Sequence, residues 1–168
     1  MRKALACTAA FILVSACDAS KRTQPLGAPE PMTAQQGDSG FKAMDQRHGE
    51  AVGEDPMALA HQFESQPDGG DIILERQIHD DMGINQIRAH LLLIARSFSN
   101  GDFAIPGFVH DKPVPGTAVM SRLAGKINYS VEDLPHGGMV HIQTSDPEAL
   151  QAIHSFIAFQ IAEHRTAH

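Results

Sequence analysis

Lys126-Ile-Asn-Tyr-Ser-Val-Glu-Asp-Leu134, Pro135-His-Gly-Gly138 and Met139-Val-His-Ile-Gln-Thr144 run on without a break, and their reading decides the fold. Ile127, Tyr129 and Val131 alternate with Asn128, Ser130 and Glu132, the period of a strand with one buried face. Val140 and Ile142 alternate in the same way with Met139, His141 and Gln143. Pro135-His-Gly-Gly138 supplies turn residues between them, so the two runs read as a tight antiparallel hairpin. A hairpin alone is marginal in water and needs a helix over its apolar face. Ser145-Asp-Pro-Glu148 starts one: Ser145 or Asp146 caps it, Pro147 suits the first turn and Glu148 can close a capping box. Leu150, Ile153, Ile157 and Ile161 then form its apolar stripe, flanked by Phe156.

Upstream of that unit, the spacing of Ile87, Leu91, Ile94 and Phe98 predicts a helical element running from about Ile72 to Ser99, bent or restarted at Gly83 and stopped by Asn100-Gly101. Residues 102–110 read as an ordered loop and 116–124 as a short helix. The expectation is an α+β fold: one small domain of about three helices, with a two-stranded antiparallel hairpin before the C-terminal helix. No internal repeat is visible in the sequence.

The N-terminus gives an address. Met1-Arg2-Lys3 is basic, Ala4 to Ala16 is apolar but too short to span a bilayer, and Val14-Ser-Ala-Cys17 follows. This pattern resembles the lipobox of bacterial lipoproteins, which implies cleavage before Cys17, lipidation of its sulfur (palmitate among the acyl groups) and anchoring in the cell envelope. Cys7 would leave with the signal peptide, so no internal disulfide could form. Asp18 after Cys17 resembles an inner-membrane retention signal, which implies a domain facing the periplasm. The expected organisation is a signal peptide over 1–16, a lipidated cysteine and disordered tether over 17–70, and a folded domain over 71–168. The tether assignment rests on abundant Pro, Gly, Gln, Ser and Asp with no sustained apolar period. Met57-Ala-Leu-Ala-His-Gln-Phe63 reads there as a helical turn or two at most.

Net charge is −7, with 13 Lys and Arg against 20 Asp and Glu, and the excess of acid holds in both tether and domain. That balance argues against a nucleic-acid partner, which calls for a basic face. Enzyme signatures are missing too: the sequence has no Gly-x-Ser-x-Gly elbow, no phosphate-binding glycine loop and no catalytic cysteine.

Arg96-Ser-Phe-Ser-Asn-Gly-Asp-Phe103, Val114-Pro-Gly116 and Asp146-Pro-Glu-Ala-Leu-Gln-Ala-Ile-His-Ser-Phe-Ile-Ala-Phe-Gln-Ile-Ala-Glu-His164 carry a family likeness. Over about residues 78–168 the chain resembles small exported bacterial proteins that end in a helix of the type DPEAL-x-AIH-x-F-x-x-FQI-x-EH. Some of these bear the label aspartate carbamoyltransferase. This chain lacks the Ser-Thr-Arg-Thr phosphate loop of true carbamoyltransferases and is far shorter, so the resemblance implies domain limits and no activity.

Histidine is the chemical feature, with 10 in the chain. His79 and Met82 share a helix face, and His90 returns to within about 20° of it. His136-Gly-Gly-Met139-Val-His141 repeats the His-x-x-Met spacing, and Met139 and His141 share one side of a strand. Imidazole with thioether in an exported protein points to copper. Two function classes follow. One is an envelope-interaction module, anchored to the membrane by lipid and docking a protein partner through the hairpin edge or the Phe103–Phe108 loop. The other is a periplasmic metal-binding protein using His79, Met82, His90, His136, Met139 and His141. The first needs nothing beyond what the sequence shows.

Overall fold

Gln66-Pro-Asp-Gly-Gly-Asp71 does for the front of the domain what Leu134-Pro-His-Gly-Gly-Met139 does for the back: each closes a hairpin with a two-residue turn. The computed structural model describes residues 34–53 and 59–164, with side chains from residue 42. Helix α1 is Ala34–Val52, followed by β1 (Leu59–Gln66), β2 (Gly69–Arg76) and α2 (Asp81–Ser99). Next come α3 (Ala104–His110), α4 (Thr117–Arg122), a 3-10 turn, β3 (Ile127–Leu134), β4 (Gly137–Thr144) and α5 (Pro147–His164). Among the described residues no helix is long and apolar enough to cross a membrane.

The expected two-stranded hairpin with about three helices is therefore corrected. Among the described residues the four strands form one antiparallel sheet, ordered β1-β2-β4-β3, accompanied by five α-helices. The boundary at Gly70 moves as well, since β1, β2 and α1 lie partly or wholly inside the expected tether. Its polar composition hid a strand in which Leu59, His61, Phe63 and Ser65 take the core side, opposite Arg76, Leu74, Ile72 and Gly70. The presumed helical turn at residues 57–63 belongs to that strand from Leu59 onward. The expected loop after Asn100 contains α3, which tolerates Pro106 because its third residue needs no intrahelical N–H bond.

The two hairpin–helix units repeat. All four strands have eight residues, and an offset of 68 carries Gly69 onto Gly137 and Ile72 onto Val140. The central ladder pairs Ile72 with Val140, Gly69 with Gln143 and Glu75 with Gly137, which is the register of an approximate dyad. Capping repeats too. Asp80 accepts from the backbone N–H groups of Met82 and Gly83, and Asp146 accepts from those of Glu148 and Ala149.

Each helix covers the other unit's hairpin. Helix α2 lies over β4 and β3, whereas α5 lies mainly over β1 and β2. Ile157, fully buried on α5, meets Gly70 of β2; it belongs to the cover of β1 and β2, not of the hairpin that precedes it. Arg88 of α2 ties that later hairpin down, donating from Nε to Gly137 O at 3.0 Å and from Nη2 to Leu134 O at 2.8 Å. The core between sheet and helices holds Ile72, Leu74, Val140 and Ile142 from the strands, against Leu91, Phe98, Phe156 and Ile157 from the helices.

Candidate functional site

Five elements send one histidine each toward the same end of this core. His61 is the third residue of β1 and faces the helices because Leu59 and Phe63, two positions either side, are buried. His48 lies on α1 one turn after buried Met44, and Arg47 beside it fixes the helix by donating to Val109 O at 2.8 Å. His90 precedes Leu91 on the buried side of α2. His110 ends α3, where Asp111 turns the chain with a left-handed φ of 51°. His164 ends α5, one turn beyond buried Gln160.

The rings meet around a cavity of about 60 Å³ whose other walls include Phe63, Ile72, Leu91, Phe98 and Phe156. His48 and His61 are the closest pair, with their Nε2 atoms 2.7 Å apart and ring centroids at 4.1 Å. One of the two must donate and the other accept. His164 stacks on His61 at 5.1 Å and stands 5.5 Å from His48. His110 lies 5.2 Å from His164, and His90 lies 6.5 Å from His48. His110 Nε2 donates to Gln160 Oε1 at 3.0 Å.

Burial and mutual repulsion keep these rings neutral at physiological pH. Burial pushes His48 down to about 3, helped by His164, His90 and His110. His61 is pushed to about 3 by burial, then by His48 and His90, and His164 to about 3 by burial, then by His61 and His110. Burial also lowers His90 and His110, against a hydrogen bond with the Ala51 backbone in the first case and with the Gln160 side chain in the second. Neutral imidazoles keep a lone pair each. His48 Nδ1 and His110 Nδ1 are buried without a hydrogen-bond partner among the described residues, which a purely structural histidine normally avoids. Among the described residues no carboxylate, ammonium, guanidinium or sulfur lines the cavity. Among the described residues no three His, Cys, Asp or Glu groups already stand as a complete metal-ligand set; what converges is a pair, with further rings behind it.

The six residues expected to share a site are dispersed. His90 alone reaches the cavity, on the helix side of the sheet. Met139 and His141 alternate with buried Val140 and Ile142, and so occupy the opposite face. There His141 is held between Asp71 Oδ1 (2.8 Å) and Glu132 Oε2 (3.1 Å), while Gln66 Nε2 donates to Asp71 Oδ2 at 2.7 Å. One polar line thus crosses all four strands. The hydrogen bond to Glu132, then that to Asp71, raises His141 above the usual imidazole value despite some desolvation. His79 and His136 do come together, with centroids at 5.6 Å, but in the open; His79 Nε2 pairs with Asp81 at 3.1 Å and Met82 is 72 % exposed. Cys17 lies outside the described residues.

Sequence reading missed His48, His61, His110 and His164. Two of them sat in the stretch taken for a tether. Leu59-Ala-His61-Gln-Phe63 does carry a strand alternation with histidine at an inward position, and His164 falls eight residues after Phe156 on one helix stripe. Compared with protein families, curated proteins and solved structures, the chain matches none.

Proposed function

We propose that this chain is an exported, lipid-anchored binding protein whose histidine-lined cavity takes up a transition-metal ion. One observation carries the reading: five histidines from five separate elements converge, uncharged, on a single apolar cavity. Burying so many imidazoles costs stability unless they are used, and two of them leave a ring nitrogen unpaired. An all-imidazole donor set suits zinc, copper, nickel or iron. The thioethers of Met82 and Met139 lie elsewhere, so the soft-sulfur argument for copper does not transfer to this cavity.

The test is metal loading of the full chain in detergent, followed by elemental analysis after desalting. One ion per chain is expected, with a rise in melting temperature because the ion binds only the folded state. His48→Leu with His61→Leu should abolish both. Loading that survives those changes overturns the reading.

The open face of the sheet supports a second reading, as a docking face. Its outward positions carry Glu64, Asp71, Glu75 and Glu132 with no Lys or Arg, which favours a cationic protein partner in the envelope. Weakened capture of such a partner by Glu132→Gln and Glu75→Gln, at unchanged metal loading, would support it.

A further inference from the structure

We infer that the cavity selects copper(I), bridged between His48 Nε2 and His61 Nε2 with His164 as a third ring in reach. The inference rests on the metal-binding reading above and adds the identity and oxidation state of the ion.

Charge is the first argument. Among the described residues nothing acidic lines the cavity, so an ion there meets neutral rings and hydrocarbon. The cost of placing an ion in such a medium grows with the square of its charge, making a dication about four times as expensive as a monocation. Glu163 lies behind the lining, 3.8 Å from His110 Nδ1, and Lys112 Nζ already pairs with it at 2.7 Å. Among the described residues no neutralising anion is therefore supplied for a second positive charge.

Donor count is the second argument. Zinc in a structural site takes four ligands, whereas among the described residues two nitrogens converge here with one further ring, His164, in reach, short of four. Copper(I) is satisfied by two imidazoles in line, or by three in a plane. With metal–nitrogen bonds of about 2 Å, a linear pair stands roughly 4 Å apart and a tetrahedral pair about 3.3 Å. The Nε2 atoms at 2.7 Å must open in either case, and the adjoining 60 Å³ cavity gives the rings room to turn. His164, stacked on His61, is the ring placed to close a trigonal set.

The full chain in detergent is titrated anaerobically with copper(I) against a chromophoric copper(I) chelator, and in parallel with zinc(II) against a zinc indicator. One copper(I) per chain is expected, bound at least about tenfold more tightly than zinc(II). His61→Leu should weaken copper(I) about 100-fold or more, whereas His79→Ala and His136→Ala, on the surface, should leave it unchanged. X-ray absorption of the loaded wild-type chain gives a readout independent of variant folding. Two or three nitrogen neighbours and no sulfur are expected. Sulfur scattering, or zinc(II) bound as tightly as copper(I) at the same pair, overturns the copper(I) assignment and leaves the metal-binding reading standing. If neither ion depends on His48 and His61, both fall together.

Discussion

Ile72 and Val140 face each other directly across the β2–β4 ladder, and each holds in its own hairpin the place the other holds in its own. Every equivalent pair of positions is organised about that contact. Gly69 and Gly137 are one such pair, and both lie where a strand backbone leaves no room. A Cβ on Gly69 would stand 1.7 Å from Ile142 O, and one on Gly137 would stand 1.9 Å from Leu74 O. Gly69→Ala and Gly137→Ala should therefore be comparably severe, each costing about 3 kcal/mol or more because backbone must move. Urea denaturation of the two variants checks it; one tolerated and one lethal change would break the equivalence.

Ile157 and Gly70 make a second test. Gly70→Ala places a methyl 2.7 Å from Ile157 Cγ1, an overpacking worth about 1–3 kcal/mol. Ile157→Ala alone should cost about 2–5 kcal/mol through the cavity it leaves. Combined, the two should cost less than their sum, since the new methyl enters the vacated space. Strict additivity in a double-mutant cycle would place Ile157 elsewhere.

Acid should unfold the metal-free protein through its buried histidines. His48, His61 and His164 sit at about 3 when folded and near 6.5 when unfolded. Between those values the unfolded chain binds more protons than the folded one, so stability is greatest above about pH 6.5 and falls as the pH drops toward 3. Each such group adds at most about 1.4 kcal/mol per pH unit to the slope. His61→Leu should flatten it, as read from urea midpoints at pH 5 and 7.

His141 should behave in the opposite sense. Its folded value is raised, chiefly by Glu132, so the stability it contributes is present below about pH 6.5 and is lost as the pH rises through the folded value. The groups are partly exposed, which limits the effect to about 1 kcal/mol or less. His141→Gln should thus destabilise at pH 6 more than at pH 9.

The address is tested at Cys17. Intact mass of membrane-extracted protein should show a chain beginning at Cys17 and carrying acyl groups. A soluble chain with an unmodified N-terminus would remove the anchor from the proposed function.

The second hairpin, α2 and α5 were legible because period-2 and period-3.6 patterns there are dense in branched apolar residues. The first hairpin was not. Asp71 is buried and paired to His141 across the ladder, and Gly69 and Gly70 carry no side chain, so half of β2 gives no hydrophobic signal. The likeness between Gln66-Pro-Asp-Gly-Gly and Leu134-Pro-His-Gly-Gly was present in the letters, yet it shows as a repeat only once the register supplies the offset. The histidine cavity was illegible for a related reason: its members lie up to 116 positions apart, from His48 to His164, and no local spacing joins them.

Because each helix roofs the hairpin of the opposite half, neither half is finished alone. Where the halves differ is informative: His61 occupies the position that Tyr129 occupies 68 residues later. On one side of the dyad that position opens onto imidazoles, and on the other Tyr129 packs toward Phe98, itself stacked on Phe103. One of the two equivalent positions is thus filled by packed aromatic rings while the other borders a hollow.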